Sequence, residues 1–135
     1  MNNRSKAARV FATIGSIVLL ASAAMHYIAY QTFSGPAVRA SNLPLVLQSV
    51  FEIAFLSMAW TWIVIAVIVL VVTFGEVRLR KPLALICGFA VLIQAVFTVP
   101  FVGFFVGNEM IGAASVLIIM GGFLFNHSAA ETATR

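Results

Sequence analysis

Residues 43–74 read LPLVLQSVFEIAFLSMAWTWIVIAVIVLVVTF, 32 positions that hold a single charge, Glu52. As one helix this stretch would be about 48 Å long at about 1.5 Å per residue, against a hydrocarbon core of about 30 Å. It is therefore long enough to cross a bilayer and too long to do so without tilting, kinking or overhanging. Three further apolar runs flank it, at 10–30, 82–106 and 110–125. Each is near or above the length of a membrane helix, about 20 residues. The runs predict an all-α, integral membrane four-helix bundle forming one domain over 1–135, with spans at about 10–30, 44–74, 82–106 and 109–126.

Composition points the same way. Hydrophobic residues make up 62% of the chain and charged ones 9%, too few charges to clothe a soluble domain of 135 residues. The net charge of +4 sits in short clusters beside apolar runs, so it reads as a topology signal and no nucleic-acid partner is expected. The lone cysteine, Cys87, lies inside the third run, forms no intramolecular disulfide and supplies no metal-site spacing. It reads as a small buried apolar side chain.

Lysine and arginine set the orientation. Arg4, Lys6 and Arg9 precede the first run, Arg78, Arg80 and Lys81 follow the second, and Arg39 is the one basic residue in the other two connections. The positive-inside rule then places the N-terminus and the 76–81 connection in the cytoplasm, and the C-terminus with them. Residues 31–42 and the turn around 107–109 fall on the outer side. The short, loop-poor design suits a bacterial plasma (inner) membrane. The first run has a competing reading, because Arg4 to Arg9, an apolar middle and Ala21-Ser22-Ala23 have the plan of a cleavable signal peptide. Its apolar stretch continues through Met25, Tyr27, Ile28 and Tyr30, past the usual limit of about 15 residues, which favours an uncleaved helix.

Local chemistry suggests the helix ends. Ser41 or Asn42 suits the N-cap of the second helix, with Pro44 in its first turn. Counting back about 20 residues from Gly75 puts the outer edge of the membrane core near Phe55, a register in which Trp60 and Trp62 meet neither interface. Pro100 kinks or ends the third helix, and Gly103 and Gly107 would allow close contact if helical. Asn108 suits the N-cap of the fourth helix, with Glu109 in its first turn. Gly112, Ala113, Ala114 and Ser115 offer a small surface for packing in lipid.

Ionisable groups inside a membrane are costly, about 2.5–3.5 kcal/mol at a helix centre, so the few retained ones are the candidates for function. His26 on the first helix, Gln48 and Glu52 on the second, Gln94 and Thr98 on the third and Glu109 at the start of the fourth all fall toward the outer side. They predict an outward-facing polar cleft closed below by Leu, Ile, Val and Phe. His26, Glu52 and Glu109 carry nitrogen and oxygen donors but form no metal-ligand spacing, and no cofactor or metal is expected. More ordinary roles compete: an interfacial belt for His26, Tyr27 and Tyr30, interfacial water for Glu52, and interhelical hydrogen bonds for Gln94 and Thr98. His127 reads as a solvated residue past the last span.

Three function classes fit these residues. A protein that binds or transports a small amphipathic or cationic molecule would use Glu52 as counter-charge and aromatic side chains as walls. A membrane enzyme on a lipid-like substrate would use His26 and Glu52 as an acid/base pair. An accessory subunit of a larger membrane complex would need only its lipid-facing and glycine-rich surfaces. The first is the leading expectation, with the bilayer, a small-molecule ligand and a homodimer or larger complex as partners.

Overall fold

A computed structural model describes residues 3–75, 78–103 and 105–125. The elements are α1 (Asn3–Ala29), a π-helical turn (Tyr30–Ser34), α2 (Gly35–Arg39), α3 (Leu45–Phe74), α4 (Arg80–Val102) and α5 (Val106–Leu124). Among the described residues there is no strand. Four helical stretches are long and apolar enough to cross a membrane: Asn3–Arg39, Leu45–Phe74, Arg80–Pro100 and Val106–Leu124. The all-α architecture read from the apolar runs, with four helices long and apolar enough to cross a membrane, is thus present.

Several boundaries differ from the sequence reading. The first helix does not stop at Tyr30 but continues to Arg39, across positions expected to form a loop. Pro36 explains how. It has no N–H to donate and its ring crowds the carbonyl four residues back. The turn before it widens to π geometry, in which the Gly35 N–H reaches Tyr30 O. Ser41 does not cap α3; its hydroxyl donates to Val38 O at the end of α2, and Pro44 occupies the N-cap. Helix α4 ends at Val102, and Gly103 turns the chain at φ 73°, so Gly103 and Gly107 do not lie on one helix. Asn108 is not a cap either, since α5 begins at Val106 behind Phe105. Glu109 does stand in the first turn of α5. Glu76, His127 and the last residue of the expected fourth span lie outside the described residues.

Packing follows from small residues at helical spacing. Ala8, Ala12, Gly15, Ser16, Leu19, Ser22 and Ala23 form the buried stripe of α1, and Ala8, Ala12 and Gly15 of it meet α5. A Cβ on Gly15 would stand 2.9 Å from Ala114 O, and one on Gly121 2.9 Å from the Ala12 nitrogen. The two backbones thus approach more closely than side chains allow, which is how helices gain dispersion energy where lipid removes the hydrophobic drive. Helix α5 also packs along α4, and α1 along α3, whereas α3 and α4 touch sparingly. The order around the bundle is α4, α5, α1, α3. Buried hydroxyls satisfy themselves on their own helices: Ser16 donates to Ala12 O at 2.9 Å and Thr73 to Val69 O at 2.6 Å. Cys87 is buried, as read.

The two ends of the bundle are unlike. At one, Arg4 donates to Phe123 O at 3.4 Å, Arg80 donates to Gly75 O, and the Arg80 guanidinium lies 5.5 Å from the centre of the Phe125 ring. Among the described residues, the opposite end, with α2 and the α4–α5 turn, has Arg39 as its one lysine or arginine. Near it the first turns of α3 are exposed around the helix: Leu45 at 80%, Val46 at 74% and Ile53 at 67%.

Candidate functional site

The α2 end of the bundle encloses a cavity of about 370 Å³ that all four long helices line. Helix α1 contributes Ser22, Met25, His26 and Ala29, one face over two turns. Met58 and Trp62 of α3 and Gln94 and Thr98 of α4, each pair four residues apart, stand on the neighbouring walls. The start of α5 closes the site with Asn108 and Ile111.

Most of the wall is apolar, and its polar groups are ordered by one another. The Trp62 indole Nε1–H donates to Gln94 Oε1 at 2.9 Å, bridging the sparse α3–α4 seam. Trp62 is 2% exposed, so this bond satisfies a buried donor. His26 Nε2 lies 3.1 Å from Phe55 O. A carbonyl only accepts, so the His26 proton is on Nε2 and Nδ1 remains as the ring's other hydrogen-bonding atom. The imidazole stacks on Phe55 with centroids 4.0 Å apart and meets the Trp62 rings edge-on at 5.0 Å. At the α4–α5 turn, Thr98 Oγ1 donates to Asn108 Oδ1 at 3.0 Å and shares its proton with Ala95 O, while Asn108 Nδ2 donates to Gly103 O at 3.1 Å.

Of the six residues singled out by sequence, the structure brings together three: His26, Gln94 and Thr98 line the cavity. The other three lie elsewhere. Gln48 Nε2 donates to Leu43 O at 2.9 Å and fastens the connection into α3. Glu52, half-buried, engages the buried Tyr30 hydroxyl, with Arg39 also within electrostatic reach. Glu109 is exposed on the first turn of α5. His26 and Glu52 do not form a hydrogen-bonded pair; each has a different partner, and the Phe55 ring contacts both His26 and Tyr30. Nor do His26, Glu52 and Glu109 gather as metal ligands, since among the described residues no group of three such side chains could hold an ion.

Sequence reasoning missed Trp62 and Asn108 as members of the site. The signal for Trp62 was its misfit with both membrane interfaces. A tryptophan at mid-span needs a buried acceptor, and Gln94 is such an acceptor one helix away. Asn108 has the look of a cap because it follows a turn, but within the first turn of α5 the same side chain bonds Thr98 of α4 and the Gly103 carbonyl. Of the phenylalanines crowded between 97 and 105, Phe105 lines the cavity, and Phe104 lies outside the described residues.

No protein family, curated protein or solved structure matches this chain.

Proposed function

We propose that this is a multi-pass protein that binds, and in doing so carries or presents, a small amphipathic molecule at the outer end of its bundle. The observation that carries the reading is the shared cavity: about 370 Å³, walled by all four long helices and apolar except for a few ordered polar groups. Small-molecule sites have this form, with a mainly apolar wall and a few placed hydrogen-bonding groups. Among the described residues no Asp, Glu, Lys or Arg lines the cavity, which favours a neutral ligand over the cationic one that Glu52 would have served.

The orientation belongs to the same proposal. The end with Arg4, Arg80 and their neighbours faces the cytoplasm and the cavity end faces out, in a bacterial-type plasma membrane, by the positive-inside rule. Both termini are then cytoplasmic. An acid/base enzyme is the weaker reading, because His26 and Glu52 have separate partners. An accessory role in a larger complex draws support from the exposed first turns of α3, where Val50 and Phe51 are each more than half exposed.

Native mass spectrometry of protein released from membranes under mild conditions tests this reading, with Ala29→Phe as a cavity-filling variant. A retained small molecule that is lost in Ala29→Phe, with helicity and melting temperature kept, supports the ligand site. A spectrum free of adducts in both proteins overturns it in favour of the accessory role.

A further inference from the structure

The polar valences left unused in the cavity define a chemistry more specific than amphipathic. Trp62 can only donate, so its bond fixes Gln94 with Oε1 toward the indole and leaves the two Nε2 hydrogens for another acceptor. The Phe55 carbonyl fixes the proton of His26 on Nε2, which leaves Nδ1 to accept. Both groups are held by one indole, since Gln94 bonds its nitrogen and the His26 ring lies 5.0 Å from it. Thr98, Asn108 and Gly103 O satisfy one another at the far wall.

We propose that the cavity selects a neutral ring compound through a hydroxyl group that donates to His26 Nδ1 and accepts from Gln94 Nε2. This rests on the reading of the cavity as a ligand site. A hydroxyl is the smallest group that both donates and accepts, and a ketone or ether would leave Nδ1 unmatched. A formal charge would meet no counter-ion among the described residues of the wall and would lose hydration without compensation. The rest of the lining favours a flat ring: Met25, Met58 and Met110 supply thioethers, and Phe105 and Trp62 supply aromatic faces. The volume of about 370 Å³ equals roughly a dozen waters at about 30 Å³ each, enough for two fused rings.

The test is calorimetric titration of the full chain in phosphatidylcholine nanodiscs with four probes of one shape: 2-naphthol, naphthalene, 2-naphthoate and 2-naphthyltrimethylammonium. Heats into empty nanodiscs are subtracted to remove partition into lipid. The expected result is 2-naphthol binding about tenfold or more tighter than the other three, as for a site built to hydrogen-bond a hydroxyl. His26→Phe and Gln94→Leu should each lower 2-naphthol affinity to near that of naphthalene, with the helical content of each variant measured alongside to show that the bundle is still formed. Equal affinity for naphthol and naphthalene overturns the hydroxyl selection and leaves the cavity reading standing. Preference for the trimethylammonium probe overturns it in favour of a cation site. Failure of all four to bind above empty nanodiscs overturns both.

Discussion

Trp62 of α3 and Gln94 of α4 are joined by a 2.9 Å hydrogen bond across the neighbouring pair of long helices that otherwise touches least. The bond does two things. It ties the open seam of the bundle at cavity level, and it fixes which way the Gln94 amide faces. A double-mutant cycle with Trp62→Phe and Gln94→Leu separates these from simple packing. Coupling of about 0.6 kcal/mol, and up to about 1.7 kcal/mol, is expected, the range found for hydrogen bonds between membrane helices. Reversible unfolding in mixed micelles reads it. Additive effects of the two substitutions would mean that the bond contributes nothing beyond the volume of the rings.

Close packing of α1 on α5 makes a second, sharper prediction. Gly15→Val and Gly121→Val should each destabilise by about 1–3 kcal/mol, the usual cost of overpacking. At Gly121 the nearest atoms are the backbone of α1 at Ala12 and Ala8, which cannot move aside as a flexible side chain would. Gly112→Ala is the contrasting control, because a Cβ there meets nothing within 4 Å. It should be neutral or stabilising by up to about 1 kcal/mol through helix propensity. Melting temperatures of the three variants in one detergent decide the matter.

The contrast also shows what was legible in the sequence. Apolar run length gave the number of membrane helices, and the α3 boundaries predicted at 44–74 lie within one residue of Leu45–Phe74. Which small residues make contact was legible only in part: Ala114 and Ser115 of the small surface at 112–115 are buried, and Ala114 meets Gly15. Gly103 and Gly107 stand out by spacing and Gly112 as part of a small surface, yet the close approaches between long helices are at Gly15, Gly88, Gly121 and Gly122, while a Cβ on Gly107 would meet Phe105 of its own turn. Membrane helices are apolar on every side, so hydrophobic periodicity no longer marks the buried face and only packing chooses it. For the same reason the polar residues could be assigned to an end of the bundle but not to a shared wall. Helix rotation decides that His26, Gln94 and Thr98 meet while Gln48, Glu52 and Glu109 do not.

Glu52 gives a prediction opposite to the one its membrane location invites. Its partner is Tyr30, outside the cavity wall, so Glu52→Gln should leave the affinity for a neutral ligand within about twofold, a change of about 0.4 kcal/mol. His26→Phe should weaken the same ligand much more. Loss of binding in Glu52→Gln alone, measured in the same nanodiscs, would return the carboxylate to the site.

The orientation is checked by cysteine labelling in a Cys87→Ala background. A cysteine at Phe33, 73% exposed near the α2 end, should react with an impermeant maleimide added to intact cells. A cysteine at Arg78, exposed beside the basic end, should react only after permeabilisation. The reverse pattern would invert the bundle and place the cavity on the cytoplasmic side.

Gly103 supplies the most local prediction and the one most directly tied to the site. It ends α4 at φ 73° and ψ −172°, a region essentially confined to glycine. Among the described residues, its chain neighbours aside, no atom lies within 4 Å of where its Cβ would stand, so the cost of a side chain there is conformational. Its carbonyl accepts from Asn108 Nδ2, whose Oδ1 in turn receives the Thr98 hydroxyl, so the turn positions one wall of the cavity. Gly103→Ala should destabilise by about 1–3 kcal/mol. Gly103→Asn should fare no better, because asparagine relieves the left-handed helical region and not this extended one. Both variants should also weaken ligand binding through the displaced Asn108 and Thr98. A Gly103→Ala protein that melts with the wild type would show that the chain turns between α4 and α5 in a conformation open to any residue.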